Sequence, residues 1–128
     1  MKKEFMLLIR NRVDHLAHLS AEENQKFLQA CKDYIENLTQ EGKLRAAQPL
    51  VKEGAILSGS KKAWKDGPYN ETKEVIVGYY HVLAENLDEA IEIAKGNPEF
   101  EYTDTARIEI RPIKTAEQKS GFTYPGKH

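Results

Sequence analysis

The sequence predicts an α+β domain, and three features carry that prediction. Two segments open on a helix-capping residue and continue with apolar positions at three-and-four spacing. They are set between short runs rich in Val, Ile, Leu and Tyr, and the longest run, residues 75–83, alternates between two faces. The chain has 128 residues, 40% apolar and 30% charged, which suits one domain. At that length folding removes roughly two-thirds of the unfolded surface from water, so a core forms without disulfide or structural metal.

Phe5-Met6-Leu7-Leu8-Ile9 is short, continuous and apolar, as expected of a strand covered on both faces. Residues 11–19 read as a connection. Ser20-Ala21-Glu22-Glu23 then places a serine N-cap three residues before a glutamate, a pair that satisfies two otherwise unpaired amides reciprocally. A helix therefore starts there, with Phe27, Cys31, Tyr34, Ile35 and Leu38 on its apolar stripe and Gly42 as its left-handed stop. Residues 44–48 read as a strand ending at Pro49, which cannot donate into a ladder. Residues 55–57 and 62–65 read as a hairpin joined by Ser58-Gly59-Ser60.

In the run 75–83, Val75, Val77, Tyr79, His81 and Leu83 share one face, and Ile76, Gly78, Tyr80 and Val82 the other. Asn86 caps a short second helix with Leu87, Ala90, Ile91 and Ala94 on one stripe, stopped by Gly96 and Pro98. Ala106, Ile108 and Ile110 alternate with Arg107, Glu109 and Arg111 in a last strand that ends at Pro112. Residues 1–113 are read as the domain and 114–128 as a polar C-terminal extension.

This order is the ferredoxin-like βαββαβ order with an extra hairpin, in which both helices pack on one face of a mainly antiparallel sheet. The strand 75–83 is apolar on both sides, so the second face also needs cover. With no third layer in the chain, a second copy is the simplest cover, and a homodimer is expected.

Nineteen basic against twenty acidic side chains leave a net charge of -1, too little field to attract nucleic acid. The N-terminal apolar run is far short of a membrane span or signal core, so no membrane partner and a cytoplasmic location are expected. Cys31 is the single cysteine, without a CxxC partner, and the two Asn-x-Thr matches at Asn37 and Asn70 are read as chance.

Asp66-Gly67-Pro68-Tyr69, followed by Glu71-Thr72-Lys73-Glu74 and Gly78-Tyr79-Tyr80, resembles the signature of the DGPF-type branch of the YCII-related family. Glu41-Gly42-Lys43-Leu44, Leu87-Asp88-Glu89-Ala90 and Glu109-Ile110-Arg111-Pro112-Ile113 extend the likeness over most of the chain. The resemblance implies a dimeric α+β barrel. It implies little about a reaction, because fold does not decide chemistry. Tyr69 stands where the branch name has Phe, and Val77-Gly78 where a Gly-Gly pair is common. YciI-type relatives are thought to pair a histidine in the first helix with an aspartate, but residues 20–42 hold no histidine, so that pair is not carried over.

The stretch from Asp66 reads first as a turn, with glycine permitting unusual angles and proline fixing the chain. Its functional reading places Asp66, Tyr69, Lys73 and Glu74 at a pocket mouth between subunits. His81, beside Tyr79, is the best single acid/base candidate, since an imidazole is the side chain suited to proton transfer near neutral pH. A lone histidine on a covered strand is more often a hydrogen-bonded core or interface residue. Arg107, Glu109 and Arg111 either line a polar dimer cavity that holds a small anion or protect an edge strand with charge. His15 and His18 with Asp14 would make only a weak metal site and read as solvated loop residues, so no metal and no cofactor are expected.

Two functions follow. The first is a homodimer binding a small molecule in an intersubunit cavity, with acid/base chemistry by His81 and Asp66 and contacts from Tyr69, Lys73, Glu74, Tyr79, Arg107 and Arg111. The alternative is a non-catalytic interaction or regulatory module, since some relatives are encoded beside, or fused to, sigma factors of the extracytoplasmic-function type.

Overall fold

The apolar run near the N-terminus seeds a strand longer than its five aliphatic residues, β1 (Lys3–Arg12), in which Phe5, Leu7, Ile9 and Asn11 are buried and their neighbours are not. It belongs to a computed structural model that describes residues 2–67 and 74–125. Helix α1 (Ala21–Gln40) starts at the capping box: the Glu23 amide donates to Ser20 Oγ at 3.1 Å and the Ser20 amide to Glu23 Oε1 at 2.9 Å. It ends where Gly42 turns to φ 69°, a conformation that side chains with a Cβ resist.

After α1 come β2 (Leu44–Pro49), β3 (Ile56–Ser60), β4 (Ala63–Gly67), β5 (Glu74–Ala84), α2 (Leu87–Lys95), α3 (Glu99–Tyr102) and β6 (Arg107–Pro112). The main sheet runs β2-β5-β1-β6 with every neighbouring pair antiparallel. It is an open sheet with β2 and β6 at its edges, so the chain closes no barrel of its own. The single-turn helix α3 is an addition to the sequence reading: Pro98 ends one helix and supplies the fixed φ that starts another.

Both helices lie on one face of the sheet, as the apolar stripes predict. Phe5, Leu7 and Ile9 of β1 and Tyr80, Val82 and Ala84 of β5 pack with Leu38 of α1 and Ala90, Ile93 and Ala94 of α2. Ile108 and Ile110 of β6 close one side of this core. Val77 is an extra residue in β5: Ile9 pairs with Gly78 and Arg10 with Ile76, so Val77 bulges out of the β1 ladder and packs against the core. The bulge keeps Tyr79, His81 and Leu83 on the helix-free face together with Ile76 and Glu74. On that face Leu8 stands opposite Tyr79 and Glu109, and Met6 opposite His81 and Arg111. None of these apolar groups is fully covered.

The hairpin differs from its sequence reading. Ser58, Gly59 and Ser60 lie within β3, and the turn falls on Lys61-Lys62 because Ser60 pairs with Ala63. Gly59 is at φ 110°, and a Cβ there would sit 2.1 Å from the Ala63 carbonyl oxygen. Among the described residues the arm pairs only with itself, and Leu57 and Trp64 are both 62% exposed. Residues 114–125 form a small closed loop in which Ala116 bridges to Thr123 and Lys114 pairs with Glu117 at 2.7 Å. No helix among the described residues is long and apolar enough to cross a membrane.

Candidate functional site

Among the described residues, two networks of side-chain hydrogen bonds lie on opposite sides of the sheet. On the covered side, a cavity of about 230 Å³ opens between α1 and the β2-β5 half of the sheet. Its floor is Ile9, Val77, Gly78 and Tyr80, its roof Phe27, Cys31 and Ile35, and the exposed Leu28 and Leu50 stand at its rim. The end nearest α3 is polar, formed by His15, Asn97 and Glu99.

Glu99 is 5% exposed and organises that end. Its Oε2 accepts from Asn11 Nδ2 at 2.7 Å and contacts His15 Nδ1. With Glu99 ionised, this contact places the imidazole proton on Nδ1 and leaves Nε2 as the basic nitrogen. The Glu99 amide donates to Asn97 Oδ1 at 2.8 Å. Asn97 is 4% exposed, and its Nδ2 meets no acceptor in hydrogen-bond geometry, although the side chain lies beside the Tyr80 hydroxyl. Burial pushes the Tyr80 phenol well above its ordinary range, and burial together with the Glu99 charge pushes the Cys31 thiol up to about 11. Both therefore stay protonated at neutral pH, and Cys31 is no thiolate nucleophile there.

On the helix-free face, His81 Nε2 lies 2.9 Å from Glu4 Oε1, with 23% and 12% of the two side chains exposed. Next to it runs a charge ladder. Arg107 grips Glu74 through Nε and a terminal nitrogen, both at 2.9 Å. Arg10 reaches Glu109 at 2.9 Å and Glu74 at 3.3 Å, and Arg111 reaches Glu109 at 3.1 Å. The Arg107 hydrogen bonds, then Arg10, lower the Glu74 carboxyl, and Arg111 followed by Arg10 lowers Glu109.

A sequence model of the YCII-related domain matches residues 3–116. The chain belongs to the YCII-related family. It is also 29% identical over 102 residues to a protein of Rhizobium meliloti (strain 1021) described as uncharacterised, a match covering 73% of this chain and 78% of that one.

Within this YCII-related chain the sequence-predicted residues separate. Glu74 and Arg107 are brought together, and Arg111 joins them through Glu109. Tyr79 and His81 share the helix-free face, but His81 is held by Glu4, a residue the sequence reading passed over. Asp66 is an exposed residue of β4 opposite Leu57. Tyr69 and Lys73 lie outside the described residues. His15 corrects its sequence reading as a solvated loop residue: its side chain is 15% exposed and bound to Glu99, while His18 turns to the Tyr102 carbonyl at 3.2 Å. Among the described residues no group of three His, Cys, Asp or Glu side chains is placed to hold a metal. Asn97 and Glu99 gave no local signal, since each lies 80 or more residues from the histidine it accompanies.

Proposed function

We propose that this YCII-related protein binds a small molecule, and that the cavity beneath α1 is its primary site. The observation that carries this reading is the His15–Glu99 pair at the polar end of a mostly apolar cavity, the combination of apolar body and few convergent polar groups typical of ligand sites. At about 230 Å³ the cavity is smaller than the roughly 300 Å³ at which drug-sized sites begin, so the ligand is a compact metabolite.

The strand order supports a ferredoxin-like arrangement, the Asp66-Gly67-Pro68-Tyr69 motif supports the DGPF-type branch, and the helix-free face supports a homodimer in which two such faces form an α+β barrel. Packing there would enclose His81, Glu4 and the arginine ladder in a second, polar cavity between subunits, with acid/base chemistry by His81 and Asp66. The exposed hairpin residues Ile56, Leu57 and Trp64 favour a second reading, an interaction module that docks a partner through this arm.

A thermal-shift screen of metabolites against wild type and Ala47→Phe, which fills the cavity from β2, tests the primary reading. A ligand at one hundred times its dissociation constant adds about 2.7 kcal/mol of stability. Compounds that raise the wild-type melting temperature but not that of the folded variant support it. A broad screen without such compounds overturns it.

A further inference from the structure

We propose that the ligand of this cavity carries a carbonyl group with an acidic neighbouring C–H, and that His15 moves that proton while Asn97 and Tyr80 hold the carbonyl oxygen. The inference rests on the cavity being the binding site and adds the chemistry of what enters it.

The argument starts from Asn97 Nδ2. A buried N–H without an acceptor costs free energy that the fold recovers only if something else supplies the acceptor. The side chain cannot escape by rotating, because its Oδ1 is committed to the Glu99 amide at 2.8 Å. A flipped amide would set an N–H against that same N–H. The Asn97 amide therefore stays at the polar end of the cavity beside the phenol of Tyr80, with which it interacts and which burial keeps protonated. Two neighbouring uncharged donors in a mostly apolar cavity match a carbonyl oxygen, and they match it better as charge gathers there. They do not match a carboxylate or phosphate, whose desolvation two neutral donors would not offset and which the Glu99 charge would repel.

His15 supplies the complementary half. Glu99 holds Nδ1 and leaves Nε2 as a base, so Glu99 is a positioning residue and His15 the catalytic one. The step balances within the ligand. Nε2 takes the proton from the carbon beside the carbonyl, the C–H pair becomes a C=C bond, and the C=O π pair moves onto the oxygen held by Asn97 and Tyr80. Return of the proton to carbon restores the carbonyl, exchanging a hydrogen or shifting a double bond, with no oxidant or second substrate.

Cyclohexanone and its isostere methylenecyclohexane are suitable probes, followed by NMR for binding and, in D₂O, for deuterium entry beside the carbonyl. Wild type should prefer the ketone by roughly tenfold, the worth of one buried hydrogen bond, and should accelerate exchange. Asn97→Leu should erase the preference, and His15→Gln should bind the ketone but leave exchange at the buffer rate. Glu99→Gln should bind the ketone as wild type does but slow exchange, because His15 loses the carboxylate that holds its Nδ1 and orients the ring. Equal binding of the two probes by wild type overturns the carbonyl inference while leaving the cavity a binding site. Ketone binding without exchange overturns the role of His15. Failure of both probes to bind overturns the cavity reading itself.

Discussion

Asn11 Nδ2 donates to Glu99 Oε2 at 2.7 Å, tying the end of β1 to α3 across 88 residues of chain. Asn11 is fully buried and fully used: Nδ2 also reaches Thr103 Oγ1 at 3.0 Å, and Oδ1 accepts from the Arg12 amide at 2.9 Å and from Thr105 Oγ1 at 2.6 Å. One side chain thus fixes the segment that carries the polar end of the cavity. Replacing it with the similarly sized Leu strips a partner from the buried Glu99 carboxylate. Urea unfolding of Asn11→Leu should show a loss of about 3 kcal/mol, and Asn11→Asp, which sets a second carboxylate against Glu99, should lose more.

The parts of this molecule legible in the sequence are those that local physics decides. Ser20 and Glu23 three residues apart specify a capping box wherever a helix follows, Gly42 specifies its stop, and the alternation of Arg107, Glu109 and Arg111 with Ile108 and Ile110 specifies a one-sided strand. Ser58-Gly59-Ser60 reads as a turn, but glycine and serine also suit a strand in which Gly59 needs a positive φ, and cross-strand pairing, not composition, sets the turn at Lys61-Lys62. The His15–Glu99 and His81–Glu4 pairs span 84 and 77 residues, so each depends on the finished sheet. Spacing rules within one element do not reach such pairs.

Three acids of the covered side, Tyr80 buried and Tyr34 and Cys31 partly so, set an alkaline limit to stability. Burial raises Tyr34 and Tyr80 well above their ordinary range and raises Cys31 to about 11. An acid held neutral in the fold ionises first in the unfolded chain, so the unfolded state binds fewer protons and stability falls as pH rises. For Cys31 that window opens at the ordinary thiol value near 9 and extends to about 11. Melting temperature should decline through this range, and Cys31→Ala should decline less. A thiol reagent at pH 7.5 should modify native Cys31 far more slowly than the urea-unfolded protein.

The ladder on the helix-free face sets the acid limit. Arg107 lowers Glu74, and Arg111 with Arg10 lowers Glu109, so the folded carboxyls hold their charge below the pH at which unfolded ones lose it. Their contribution is present above the unfolded value of about 4.3 and disappears as pH falls through the lower folded value. Glu74→Gln should flatten the fall in melting temperature between pH 5 and pH 3 and leave the alkaline limb unchanged. The ladder's contribution should also shrink in high salt, since its groups are exposed.

Leu8 distinguishes a face open to water from one covered by a second copy. It lies between Tyr79 and Glu109 on the helix-free side, so Leu8→Lys sets an ammonium beside an existing carboxylate and costs an isolated chain little, within about 0.5 kcal/mol for a surface change. If two such faces pack together, the symmetry places two lysines in one interface, where a buried charge without a dedicated partner is expensive. Light scattering should therefore find wild type at twice the chain mass of 14.6 kDa and Leu8→Lys at the single-chain mass with its circular dichroism intact. A wild type already at the single-chain mass at micromolar concentration would refute the dimer and the barrel together. The cavity beneath α1 would be untouched by that result, because its lining comes from one chain.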